Sequence, residues 1–247
     1  MKGLSIGLVA IALAMSFSAM ARPKGFDIWL KADAEIAADG SVKALDWTDD
    51  RPAAKLLIAK IEPAILRWMF VPGKVDGRPM QTQTQLSVQV LGEERDDGAL
   101  EFKFGKASTG AAFKKLGPPK YPTGAAIAGV SAVVVVEVDV DIKGQLAIRS
   151  VTFTGSMGDR YRKEFVAATE LAIKTWTMQP ERVAGLPAPA HMSIPIDFCI
   201  GAWCDRRARA EQHLQRRGEG GEGGERGAPV ALDSVVRLVT HVEGQEI

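Results

Sequence analysis

The chain has 247 residues, 46% of them hydrophobic and 25% charged, with a formal net charge of +1. That is the composition of a globular protein with room for one large domain or two small ones. The near-zero charge removes the global basic field that would point to nucleic acid.

The N-terminus reads as a secretory signal. Lys2 supplies a short positive region, Leu4 to Met15 an apolar one, and Ala19-Met20-Ala21 a small-residue cleavage site before Arg22. Cleavage after Ala21 leaves an exported protein. An uncleaved anchor is the alternative, because Leu4 to Ala21 carries no charge.

From Ile28 to Ile36 apolar and polar residues alternate, which predicts a strand with one buried face. Asp39-Gly40 predicts a hairpin turn into a second strand at Val42 to Trp47. Asp50 is a candidate cap for a helix opening near Pro52. Leu57, Ile61, Ile65 and Trp68 recur at helical spacing, with Pro63 expected to kink the helix or restart it. Met80 to Val90 alternates again, with Thr84, Leu86, Val88 and Val90 on one face. Leu100 to Phe104 is a further short alternating run.

A second set of elements follows. Val134, Val136, Val138, Val140 and Ile142 predict the cleanest strand, with Glu137, Asp139 and Asp141 on its wet face. Lys143-Gly144 marks a turn, Leu146 to Phe153 a strand, and Asp159 a candidate helix cap. Phe165, Ala168, Ala172 and Trp176 mark an amphipathic helix. Met192 to Ile200 is the closing strand. Pro195 within it predicts an edge or bulged strand, since proline cannot donate to a ladder.

The two sets repeat one another. Trp68-x-x-x-Pro72-x-x-x-x-Gly77-x-Pro79 recurs as Trp176-x-x-x-Pro180-x-x-x-x-Gly185-x-Pro187. The fold class is therefore α+β: two tandem units, each a small antiparallel sheet with one main helix on one face. The expected divisions are 1–21 for the signal, 22–104 for the first unit, 105–119 for a linker and 120–247 for the second unit. Residues 205–229 form an Arg/Gly/Glu-rich insertion expected to be disordered. Beyond it, Ser234 to Val242 is a strand-like run that could fold back onto the closing strand. Trp68, Pro72, Trp176 and Pro180 are structural candidates, the tryptophans capping a core or, alternatively, meeting a partner. Trp203 is the better candidate for exposure.

The only cysteines, Cys199 and Cys204, form a candidate disulfide in an oxidising compartment; two free thiols are the alternative. His191, His213 and His241 are scattered, and no catalytic or metal-ligating pattern emerges. No catalytic residue, metal or cofactor is expected.

The second unit resembles the C-terminal domain of the TonB energy-transducer family. The resemblance rests on Pro118-Pro119-Lys120-Tyr121-Pro122, on Val133 to Asp141 with Gly144, and on Glu170 to Trp176 followed by Pro180. The first unit has the hairpin, the helix exit and the Gly-x-Pro turn but no Tyr-Pro opening, so it reads as a diverged copy. The resemblance implies a periplasmic, non-enzymatic module that captures an extended peptide of an outer-membrane receptor, or of another envelope protein, by strand addition. The edge strand expected to do this comprises Met192, Ser193, Ile194, Pro195, Ile196, Asp197 and Phe198. No nucleic acid is expected, membrane contact only if the N-terminal segment stays uncleaved, and a homodimer is open. About five residues separate Ala21 from the first strand, reaching roughly 18 Å at most. With no proline-rich spacer, the chain reads as a binder rather than a force transmitter. A scaffold without a transport role is the alternative.

Overall fold

The structure, a computed structural model, describes residues 25–95, 97–200 and 230–247. The N-terminal apolar segment, Cys204, Trp203 and the 205–229 insertion lie outside the described residues. Among those described, no helix is long and apolar enough to cross a membrane.

The first alternating run becomes β1 (Gly25–Ile36), which buries Leu30, Ala32, Ala34 and Ile36. The chain reverses at Gly40, whose φ of 90° a side chain would strain. β2 (Val42–Trp47) returns antiparallel along β1. α1 (Pro52–Ile65) lays Ala54, Leu57, Ile58, Ile61 and Ile65 on the sheet. Asp50 does not cap it. Arg51 holds the cap position, and the engaged carboxylate is Asp49, which accepts from the Arg51 backbone N–H and guanidinium. The helix runs through Pro63 without a break, although the proline has no N–H to give the Ala59 carbonyl one turn back.

Beyond α1 come β3 (Phe70–Val71) and a tight hairpin of β4 (Lys74–Val75) and β5 (Arg78–Pro79). β6 (Thr82–Glu94) pairs with β1 along its whole length, and β7 (Leu100–Gly110) pairs with the other side of β6. At the register shift near Val88, the Gln89 side chain takes over ladder work. Its carbonyl oxygen accepts from the Lys106 N–H at 3.1 Å, and its amide donates to Asp27 at 2.8 Å.

The stretch expected as a linker is structured instead. β7 runs through to Gly110, and β8 (Ala112–Lys115) pairs with β11 (Thr177–Gln179). A short α2 (Thr123–Ile127) opens the second unit. β9 (Ala132–Val140) buries Val134, Val136, Val138 and Val140. It ends before Ile142, which is exposed, because the Asp141 carboxylate accepts from the N–H groups of Lys143 and Gln145 and folds the turn. β10 (Leu146–Asp159) pairs with β9, and α3 (Arg162–Ile173) follows. Asp159 ends the strand rather than capping the helix; Tyr161 occupies the cap position without a side-chain bond. β12 (Arg182–Val183) and β13 (Leu186–Pro187) form a tight hairpin, and β14 (Ala190–Phe198) pairs with β9.

The two units have the same core topology. In one, β1 lies between β2 and β6; in the other, β9 lies between β10 and β14. Small details coincide. Asp76-Gly77 and Ala184-Gly185 are both turns with two consecutive positive φ values, at 49° and 77° and at 51° and 80°. The carbonyls of Gly40 and Gly144 accept from the N–H groups of Phe70 and Met178 at 2.8 and 2.9 Å.

The C-terminal segment departs most from expectation. β15 (Val230–Ala231) pairs with β14 at Met192 and Ser193. The run Ser234 to Val242 does not; its β16 (Arg237–Leu238) pairs with β3, and Val236 and Val242 are buried in the first core. Two causes act together. Pro195 denies β14 a donor midway along its length, and the first core offers burial for both valines.

Candidate functional site

β14 is built as a strand with one dry face. Met192, Ile194, Ile196 and Phe198 are buried in the second core, while Ser193 and Pro195 are half-buried and Asp197 is exposed. The core below is aromatic. Tyr121 meets Phe165 and Phe198 edge-on, both at 5.6 Å between ring centres. Its hydroxyl donates to the Val130 carbonyl at 2.6 Å, and burial raises the phenol pKa. Trp176 is 3% exposed, and its indole N–H donates to the Gly117 carbonyl at 2.7 Å. The opening Pro-Pro-Lys-Tyr-Pro segment is thus tied to the core at both ends. Trp68 is equally buried in the first unit, edge-on to Phe104 at 5.0 Å. Pro72 is buried and Pro180 half-buried beside the following turns.

The backbone of β14 sorts its groups by parity. The His191 carbonyl accepts from the Leu232 N–H at 2.8 Å, so its polar groups face away from β9. Alternation puts those of Ser193, Pro195 and Asp197 on the same outer side. Pro195 therefore sits where its missing N–H costs no bond to β9. The register with β9 is unbroken, so the strand has no bulge. Among the described residues the outer ladder ends at Ser193, and β14 is an edge strand only beyond it. Cys199, just past β14, is disulfide-bonded; its expected partner Cys204 lies outside the described residues.

The acidic stripe on β9 is engaged rather than gathered. Glu137 accepts from the Ser150 hydroxyl at 2.9 Å. Asp139 pairs with Arg149 at 2.9 Å and with the His191 ring at 3.2 Å. Among the described residues no group of His, Cys, Asp or Glu is arranged to hold a metal ion.

One residue that sequence reasoning missed stands at the junction of the units. Glu181 is 2% exposed. Its carboxylate accepts from the Thr84 hydroxyl on β6 at 2.6 Å, the Ser234 hydroxyl at 2.8 Å and the Val235 N–H at 2.9 Å. Its only signal in the sequence is that it follows the repeated Trp-x-x-x-Pro; nothing there marks it as buried.

Residues 117–200 match the family described as Gram-negative bacterial TonB protein C-terminal. The second unit belongs to the TonB C-terminal domain family. Over 94 residues the chain is 32% identical to the protein TonB of two strains of Xanthomonas campestris pv. campestris. That alignment covers 38% of this chain and 40% of each relative, so the chain spans less than half their length. No solved structure matches the chain significantly. The TonB family match does not extend to the first unit.

Proposed function

We propose that this chain is a TonB-like protein-binding module of the Gram-negative envelope. It captures an extended peptide of an outer-membrane transporter, or of another envelope protein, by adding it as a strand to the second unit. The observation that carries this reading is the family match together with β14, a strand anchored on one side by β9 and, among the described residues, paired in a ladder on the other side only at Met192 and Ser193. An edge of that kind offers backbone groups to an extended partner, so affinity comes from the ladder and side-chain requirements are loose. The first unit is then a diverged copy whose equivalent strand, β6, is covered by β7 and β12. It stabilises the module, and its β6 does not compete for peptide. The site is proposed to lie in the periplasm.

The test is titration of a synthetic peptide, from the N-terminal segment of an outer-membrane receptor, into the mature full chain, followed by NMR. Shifts concentrated at Met192 to Phe198, with changes at Val230 and Ala231, are expected. Absence of binding at millimolar peptide would overturn capture and leave a scaffold.

A further inference from the structure

The C-terminal segment touches both sheets. At its start β15 pairs with β14, and the Leu232 N–H extends that contact to His191. At its end it lies along β7 of the first unit. The Gly244 and Ile247 N–H groups donate to the carbonyls of Phe104 and Phe102, at 2.8 and 3.0 Å, and the Phe104 N–H donates to Gln245 at 2.9 Å. Between the two, Ser234 donates to Glu181 and the Thr109 hydroxyl donates to the Val236 carbonyl at 2.7 Å. Even the start leans on the first unit: a Cβ at Gly110 would come within 2.7 Å of the Ala231 side chain. So a single stretch of chain covers the outer side of β14 at His191 to Ser193 in one sheet and lies along β7 in the other.

We propose that residues 230–247 form one strap that closes both sheet edges together, so that whatever lifts it from β14 also uncovers β7. The Glu181 carboxylate is the rivet at its middle. It is buried, and it satisfies groups from β6 and from two consecutive strap residues. Release of the middle of the strap, at Ser234 and Val235, leaves Glu181 short of donors, so an opening that passes through this point couples the ends. The consequence rests on the reading of β14 as the capture edge. A peptide taking Met192 and Ser193 must displace β15, and the first unit then presents the β7 edge, with the backbone groups of Phe102 and Phe104, as a second docking strand. Capture at one unit opens the other.

The strap is testable without any ligand, so its failure is distinguishable from failure of peptide capture. Native-state hydrogen exchange on the full chain reads the Leu232 amide at one end and the Gly244 and Ile247 amides at the other. Ser234→Ala removes the central bond to Glu181. It should speed exchange at both ends by the same factor, about ten- to hundredfold, the size of one hydrogen bond to a carboxylate. Ile247→Ala, at the far end, should speed exchange at Leu232. The amides of Val134 and Leu86, inside the two sheets, should keep their protection and show that the fold is intact. If Ser234→Ala affects only its neighbours, or Ile247→Ala leaves Leu232 unchanged, the ends open independently and the strap is overturned.

Discussion

Trp68 and Trp176 each follow the end of their helix by the same short step and fill their cores completely. Both side chains lie within the cores and not at the surface. Trp176→Ala should cost about 3–5 kcal/mol in denaturant melts, since it removes a large side chain and leaves the Gly117 carbonyl without its donor. A loss below roughly 1 kcal/mol would place the residue at the surface. The turn glycines are under a second constraint. A Cβ at Gly144 would sit 1.7 Å from the Met178 carbonyl oxygen, and one at Gly40 2.1 Å from that of Phe70. Both positions also have positive φ. Gly144→Ala should therefore destabilise by about 3 kcal/mol or more. Gly185→Ala, where a Cβ meets nothing within 4 Å, isolates the strain of positive φ alone and should cost clearly less.

At the scale of elements, β1 and β2 carry a built-in conflict. Asp33 and Asp46 are direct cross-strand partners, and like charges in that position repel. Partial desolvation, and then the Asp46 charge, raise the Asp33 pKa above 3.8. The favourable contribution of a raised carboxyl is fully present below its unfolded value and is lost as pH rises through the folded one. Asp46→Asn should thus stabilise the chain at pH 7 by a few tenths of a kcal/mol, and the gain should vanish below pH 3.8 in urea melts. A gain unchanged by pH would assign it to something other than this pair. The strands in this sheet were legible because alternation reports burial directly: Leu30 to Ile36, Leu86 to Val90 and Val134 to Val140 all face inward as their spacing predicts. The α1 stripe was legible for the same reason; in α3 Phe165 is buried as expected, but Thr169 and Ile173 are buried beside it while Ala168 and Ala172 are only partly so. Caps were not, because neither α1 nor α3 uses a side-chain cap bond: Arg51 and Tyr161, not the acidic residues nearby, hold the cap positions. Two-residue strands such as Arg182–Val183 are too short to carry a period at all. Pro195 signalled an edge or a bulge; β14 has no bulge, and among the described residues its outer side is paired at Met192 and Ser193 and unladdered beyond them.

Over the whole molecule, sequence reading placed Ser234 to Val242 with the wrong unit. The alternation in that run says only that it can pair. Backbone ladders carry no address, and the choice of sheet was made by Val236 and Val242 finding space in the first core, beside Phe70 and Phe104. The chain thus runs from the first unit to the second and back again. The two are also joined by β12 on β6, by β8 on β11 and by Glu181. Truncation after Asp233 tests this directly. It withdraws two fully buried valines, worth about 1.5–3 kcal/mol each, together with the ladders to β3 and β7. A typical domain has only about 5–15 kcal/mol in hand. The first unit should therefore lose hydrogen-exchange protection at Leu86 and Val88, while Val134 and Val136, over their own aromatic core, keep it. Equal loss in both would mean that the units unfold as one cooperative body; no loss in either would mean that the tail contributes nothing to the first core. The expected result also bears on assays of the β14 edge. A chain cut short to expose that edge would be studied with its first unit melting, so peptide capture has to be measured with the tail in place.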